Sequence, residues 1–290
     1  PFQEFQQLPF LARLAAEAPG MRLVAGVVLL PLHNPVDVAE QYATLDVITD
    51  GRLVFGVGLG YRDEEFAAFG MSRRERVGRL LENLEVVKRL WAGEEVTWES
   101  PRFRLERASL LLRPLQRPHP PIWVAADSDP GVRRAARIGD CWYLNPHARL
   151  STLERQVALY RRALEEAGRP FPQELPMRRE LFCARDREEA IRLARPYLET
   201  KYAAYHRWGQ DRALPGDDTS FDIPFEELLR DRFILGGPEE CAEQVLAHHR
   251  RLGVNHFIFS IQWPGMPQGL VLETLQRVGE EVLPPCRGGG

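Results

Sequence analysis

The sequence predicts an α/β protein, a (β/α)₈ TIM barrel with insertions, and three observations carry that prediction. Apolar stretches of strand length alternate with amphipathic helical stretches along the chain, the pattern of a parallel sheet. Residues 21–30 (MRLVAGVVLL) are apolar almost throughout, as in a strand covered on both faces. The competing fold, a doubly wound open sheet, would want its phosphate turn after that first strand, and no GxGxxG stands there.

The elements follow in order. Residues 5–18 place Phe5, Leu8, Leu11, Leu14, Ala15 and Ala18 at helical spacing, ended by Pro19-Gly20. After the strand at 21–30, Asn34-Pro35 supplies an N-cap with proline at the first helical position, and the helix runs to Gly51. Residues 53–57 form the next strand and lead into Gly56-Val57-Gly58-Leu59-Gly60. Ser72 with Glu75 reads as a capping box before the amphipathic helix Val77, Leu80, Leu81, Leu84, Val87, Trp91, which Gly93 stops. Residues 95–118 read as an excursion holding a small hairpin. Strand–helix pairs then follow at 122–126 with 129–138, 140–144 with 151–167, and 177–184 with 186–204. Residues 205–235 break the rhythm and read as an insertion with a short helix at 224–231. A helix from Gly237 to Leu252, a strand at 255–261 and a helix at 269–283 complete the pattern.

Six βα units are therefore visible, preceded by a helix that has no strand of its own. A closed eight-strand barrel needs two more strands, and the chain opens on Pro1 rather than on methionine. The expectation is a single domain over residues 1–290, without its N-terminal β-α-β segment and with an insertion at about 205–235.

Composition narrows the function classes. A net charge of −3 offers no basic face for nucleic acid or an acidic membrane. The only lysines, Lys88 and Lys201, fall in helical patterns rather than at strand ends, which argues against Schiff-base chemistry. Cys141, Cys183, Cys241 and Cys286 show no CxxC or metal-ligand spacing and read as reduced thiols of a cytoplasmic protein. No run of 18 apolar residues spans a membrane.

Four blocks carry a resemblance: NPVDVAEQYATLDVITDGRLVFGVGLGY (34–61), EEFAAFG (64–70), RPHPPIWVAADSDPGVRRAARIGD (117–140) and FILGGPEECAEQV (233–245). Together they resemble the luciferase-like monooxygenase superfamily, whose members are FMN-dependent monooxygenases or F420-dependent oxidoreductases. The resemblance implies a flavin-dependent oxidoreductase, most simply a monooxygenase using reduced FMN from a partner flavin reductase and acting on a small organic substrate. F420-dependent hydride transfer is the alternative. It also implies a cofactor at the C-terminal mouth of the barrel and a homodimer.

Three turns match the family's cofactor site. Within the first strand, Ala25-Gly26-Val27 stands where relatives have a non-prolyl cis peptide and a bulge behind the flavin ring. The second turn offers Gly58, Leu59 and Tyr61, small residues that let a backbone pass a flat ring. The third, Ala125-Ala126-Asp127-Ser128, joins a strand end to a helix N-terminus, where free N–H groups and the helix dipole hold a phosphate. Asp127 and Asp129 depart from expectation there, since carboxylates repel a phosphate, and Arg133 or Arg134 would have to offset them. Tight βα turns and an ordinary capped helix are the plain alternatives for the last two.

Candidates for the substrate pocket are His33, Asn34, Trp142, Asn145 and Trp263, each just after or at the end of a strand. His33-Asn34 also reads as a helix cap, and the tryptophans as core. His248-His249 reads as solvent-facing on its helix. No metal site is expected, and no catalytic residue is assigned, because the family's frequent histidine near its second strand would fall in the absent segment. From other classes, a metal-dependent barrel hydrolase and a non-catalytic flavin-binding homologue remain as alternatives.

Overall fold

The computed structural model describes residues 5–218 and 220–287, so the opening Pro1-Phe2-Gln3 and the glycines at 288–290 lie outside the described residues. The chain divides into two compact units, residues 1–125 with 138–140, and residues 126–137 with 141–290.

In the first unit, α1 (Gln7–Glu17) precedes β1 (Leu23–Val28), α2 (Pro35–Ile48), β2 (Leu53–Val57), α3 (Asp63–Ala68), α4 (Arg76–Ala92), the hairpin β3 (Val96–Glu99) and β4 (Arg104–Ala108), and β5 (Ile122–Ala126). Strand β2 is parallel to both β1 and β5 and buried along its whole length. Its Phe55 ring meets Tyr42 of α2 and Trp91 of α4 edge-on, at 4.8 and 5.1 Å between centroids. The Trp91 indole N–H donates to the Ala39 carbonyl at 2.9 Å, so the ring is buried without leaving a donor unpaired. Asn34 caps α2 through the Val36 N–H at 2.9 Å, with Pro35 at the first helical position. The capping box expected at Ser72 is modified. A 3₁₀ turn at Arg73–Glu75 intervenes, Ser72 accepts from the Arg74 N–H, and Glu75 binds Arg79 at 3.0 Å.

The second unit holds α5 (Asp129–Ile138), β6 (Cys141–Leu144), α6 (Leu150–Glu166), β7 (Pro176–Cys183), α7 (Arg187–Arg207), α8 (Phe225–Leu228), β8 (Ile234–Gly236), α9 (Pro238–Leu252), β9 (His256–Ser260), α10 (Gln268–Arg277) and α11 (Leu283–Arg287). Strand β7 is its axis. It pairs in parallel with β6 at Leu144–Met177, with β9 from Pro176–His256 to Glu180–Ser260, and with β8 from Leu181–Ile234 to Cys183–Gly236. Strand β8 corrects the expected count: among the described residues there are seven parallel strands where six were read. It straddles the end assigned to the insertion and was missed because so short a segment shows no period.

A second correction concerns His248. It is 6% exposed, not solvent-facing, because Cys241, Val245, His248 and Leu252 fall at successive helical turns on the buried face of α9. Three of the four cysteines, Cys141, Cys183 and Cys241, are buried free thiols.

Candidate functional site

In the first unit, the peptide between Gly26 and Val27 is cis, and the pairing of β1 with β2 shifts register between Ala25 and Val28. The glycines of β2 and the turn after it serve this bulge directly. A Cβ on Gly56 would lie 2.4 Å from the Ala25 carbonyl oxygen, and one on Gly58 would lie 2.8 Å from the Val27 side chain. Their Cβ atoms are absent where β1 bulges toward β2, and the Gly58 N–H donates to the Val28 carbonyl at 2.9 Å. Gly26 itself is exposed, while Val27, Leu59 and Tyr61 are half-buried. The Tyr61 carbonyl accepts from Arg73 at 3.2 Å and the Gly60 carbonyl from Arg76 at 2.6 Å, which hold the segment after β2.

His33 lies edge-on to Phe69 at 5.8 Å, and burial lowers its pKa against the opposing pull of Asp37. Its carbonyl and that of Leu30 both accept from the Asn83 amide, at 2.9 and 3.0 Å. Asn34, by contrast, is exposed and occupied as the cap of α2.

In the second unit, the turn from Ala126 into α5 is compact. The Ser128 carbonyl accepts from the Val132 N–H at 2.9 Å and the Ser128 hydroxyl from the Gly131 N–H at 3.4 Å. A Cβ on Gly131 would crowd Ala126 at 3.0 Å and Ser128 Oγ at 3.2 Å. Both carboxylates of the turn are engaged from the side. Arg155 of α6 grips Asp129 with two bonds of 2.7 and 2.9 Å, and Gln156 adds one of 3.2 Å. Gln210 donates to Asp127 Oδ2 at 2.9 Å. The hydrogen bond from Arg155 holds the Asp129 carboxyl below the usual carboxylate range. Arg155 is thus the main partner of Asp129, and Arg133, which also faces Glu166 at 3.7 Å, adds a smaller Coulombic pull on the same carboxyl.

The sequence model of the luciferase-like monooxygenases matches residues 1–256. The chain belongs to this family. It is similar to the solved monooxygenase RslO1 from Streptomyces bottropensis, with 30% identity and a TM-score of 0.82 over 97% of this chain and 83% of that one. Among curated relatives, an F420-dependent glucose-6-phosphate dehydrogenase from Nakamurella multipartita is 28% identical over 97% of this chain and 82% of its own length. The oxygenase component of a flavin-dependent trigonelline monooxygenase from Acinetobacter baylyi is 27% identical over 95% and 80%. An FMN-bound 3,6-diketocamphane monooxygenase component from Pseudomonas putida shares the fold, with a TM-score of 0.80 over 96% of this chain and 83% of that one, at 20% identity. The protein is thus an oxidoreductase with the barrel fold of the luciferase-like enzymes.

The luciferase-like chain also carries a buried polar network in its second unit that sequence reasoning missed. Arg179, with no exposed surface, donates to the carbonyls of Pro146 at 2.9 Å, Ala148 at 2.7 Å and Asp231 at 2.8 Å, and to His248 Nε2 at 3.2 Å. Arg232 donates to the His147 carbonyl at 3.0 Å and to Asp218 at 2.5 Å. Glu180 accepts from Lys201 at 2.7 Å and from the Trp263 indole at 2.6 Å. The charged run Arg178-Arg179-Glu180 inside an otherwise apolar strand was the one available signal, because a strand covered on both faces has no solvent side for charges.

Of the pocket candidates in this unit, Trp263 is buried on Glu180. Trp142 packs on Tyr160 with its indole N–H on the Ala126 carbonyl at 3.0 Å. Asn145 is buried at the start of the loop that Arg179 holds. Lys201 lies in a helix, α7, as its pattern predicted, and there it is the buried ion-pair partner of Glu180.

Proposed function

We propose that this protein is the oxygenase of a reduced-FMN-dependent monooxygenase acting on a small organic substrate, with a flavin reductase as its source of reduced cofactor. The observation that carries this reading is the turn into α5. The Ser128 hydroxyl, which accepts from the Gly131 N–H, keeps its own O–H to donate to an anion at the helix N-terminus, and the two carboxylates that would repel an anion are already bound by Arg155, Gln156 and Gln210. Such a turn suits one compact phosphate monoester better than a tail bearing several carboxylates, because the neighbouring Asp127 and Asp129 oppose each further negative charge.

Within this reading Ala125, Ala126, Asp127 and Ser128 form the phosphate turn. In the first unit, Ala25, Gly26, Val27, Gly58, Leu59 and Tyr61 bind cofactor, and His33, neutral at physiological pH, faces substrate. When bound, reduced FMN supplies the electrons for activating oxygen, while the protein orients it and excludes water. We take residues 1–290 as one cytoplasmic domain of the family, with the insertion at about 205–235. The homodimer is assigned to the first unit, where Ile48 of α2 and Val77 and Leu81 of α4 expose apolar surface.

The test is anaerobic titration with reduced FMN and, separately, with F420. Reduced FMN is expected to bind at least about tenfold more tightly, and Ser128→Ala to weaken it about tenfold with little change in melting temperature. Tighter binding of F420, or binding of neither, overturns the reading. Hydride transfer through F420 is the second reading, favoured by the similarity to the F420-dependent glucose-6-phosphate dehydrogenase along nearly the whole chain.

A further inference from the structure

The loop after β6 is held at almost every backbone polar group. The carbonyls of Pro146, His147 and Ala148 accept from Arg179 and Arg232, and the Arg149 N–H donates to Asp218 at 2.7 Å. The N–H groups of His147 and Ala148 donate to Asn145 Oδ1, at 3.0 and 2.8 Å. These last two bonds settle which way the Asn145 amide faces. Only its oxygen accepts from an N–H, so Nδ2 is turned away from the loop.

That Nδ2 is a buried donor with no hydrogen-bond partner, on a residue 4% exposed. A buried N–H without an acceptor is costly, and the loop gives no reason for one. Aspartate or serine would accept the same two N–H groups without leaving an amide donor unpaired. The donor is also rigidly placed, because the loop beneath it is fixed from three separate segments of the chain.

Its position in the fold says what it faces. Asn145 directly follows the C-terminal end of β6, the end at which parallel barrels carry their chemistry. Three residues earlier, the Trp142 indole is anchored on the Ala126 carbonyl, the start of the phosphate turn. We propose that Asn145 Nδ2 donates a hydrogen bond to a neutral oxygen of the bound flavin, a ring carbonyl or a ribityl hydroxyl. Asn145 is then a cofactor-binding residue rather than part of the substrate pocket. This rests on the FMN reading above.

The experiment compares wild type, Asn145→Asp and Asn145→Ser by anaerobic titration with reduced FMN at about pH 8 and about pH 5.5, with a thermal melt of each. Asn145→Asp keeps the oxygen that the loop needs and replaces the donor with a second oxygen. Its Kd relative to wild type is expected to rise at least about tenfold at the higher pH. The defect is expected to shrink as falling pH protonates the carboxyl and restores a donor, with no matching rise in melting temperature; a purely structural role would raise both together. Asn145→Ser is expected to weaken binding about threefold or more at both pH values, and it carries the test if the aspartate variant does not fold.

Wild-type affinity in both variants overturns the proposal. So does a loss of turnover at unchanged flavin affinity, because the amide then serves substrate or a fixed water. If wild type binds no flavin, the FMN reading falls and this inference falls with it, an outcome distinct from a variant that binds like wild type.

Discussion

The two units fix their strand ends by opposite means. At the end of β1 and β2 the structure works by subtraction: Gly56 and Gly58 have no side chain where the bulge at Ala25–Val28 needs the space. At the end of β6 and β7 it works by addition: buried Arg179 and Arg232 saturate the carbonyls of one loop. The first device depends on sterics at contact distance and involves one pair of neighbouring strands. The second depends on residues up to 85 positions apart in sequence, as in the bond from Arg232 to His147. The difference teaches that a backbone can be placed with equal definition by absent atoms or by charged ones. Only the charged kind brings a dependence on pH.

The largest effect is expected on the additive side. Arg179→Met removes the buried donor to three carbonyls and is expected to destabilise the second unit by about 4 kcal/mol, read by urea unfolding. Gly56→Ala comes next, at about 2–3 kcal/mol, since a Cβ placed 2.4 Å from a backbone oxygen forces the strands apart. If the glycine change proves the costlier, the ranking of the two devices is wrong.

Acid separates them further. Burial lowers the His248 pKa to about 3 and that of His147 well below its ordinary 6.5, and in each case the nearby guanidinium groups add to the effect. Below 6.5 the unfolded chain takes up protons that the folded one refuses, so stability is fully present above that pH and falls as pH drops toward the folded values. The slope is about 1.4 kcal/mol per pH unit per histidine. His248→Gln, which can still accept from Arg179, is expected to remove one histidine's share of the slope between about pH 6.5 and 5 in chemical unfolding. An unchanged slope would mean that His248 is protonated in the fold.

The smallest effect is expected at the phosphate turn. The Asp129 carboxyl, depressed by Arg155, adds stability above its unfolded pKa that is lost as pH falls through the folded one. Because the pair is largely exposed, Arg155→Ala is expected to cost only about 0.5 kcal/mol at neutral pH. Its larger consequence is weaker binding of reduced FMN, by a few-fold, as Asp129 regains its full repulsion; titration of the variant checks this.

Much of the fold was legible because its signals are local. Asn34-Pro35 marks a helix start whatever surrounds it, and the apolar run at 21–30 and the alternation of strands with helices depend only on neighbours. The glycines of 56–60 were equally visible, but their reason was not. They read as room for a cofactor, and the structure shows that Gly56 and Gly58 also make room for the bulge of the neighbouring strand β1. Strand β8 was missed because three residues carry no period, and His248 because an adjacent pair of histidines on a helix says nothing of which face is buried.

The family and the order of all the parallel strands but β8 followed from the sequence alone, since each is written in contiguous residues. Only the tertiary structure decided that Arg155 grips Asp129, that Lys201 is paired with Glu180, and that the buried Asn145 donor is left without a partner. Those outcomes depend on which groups meet across folded distances. The strength of a buried charge or hydrogen bond is set by that meeting and by the water it excludes, neither of which a linear pattern contains.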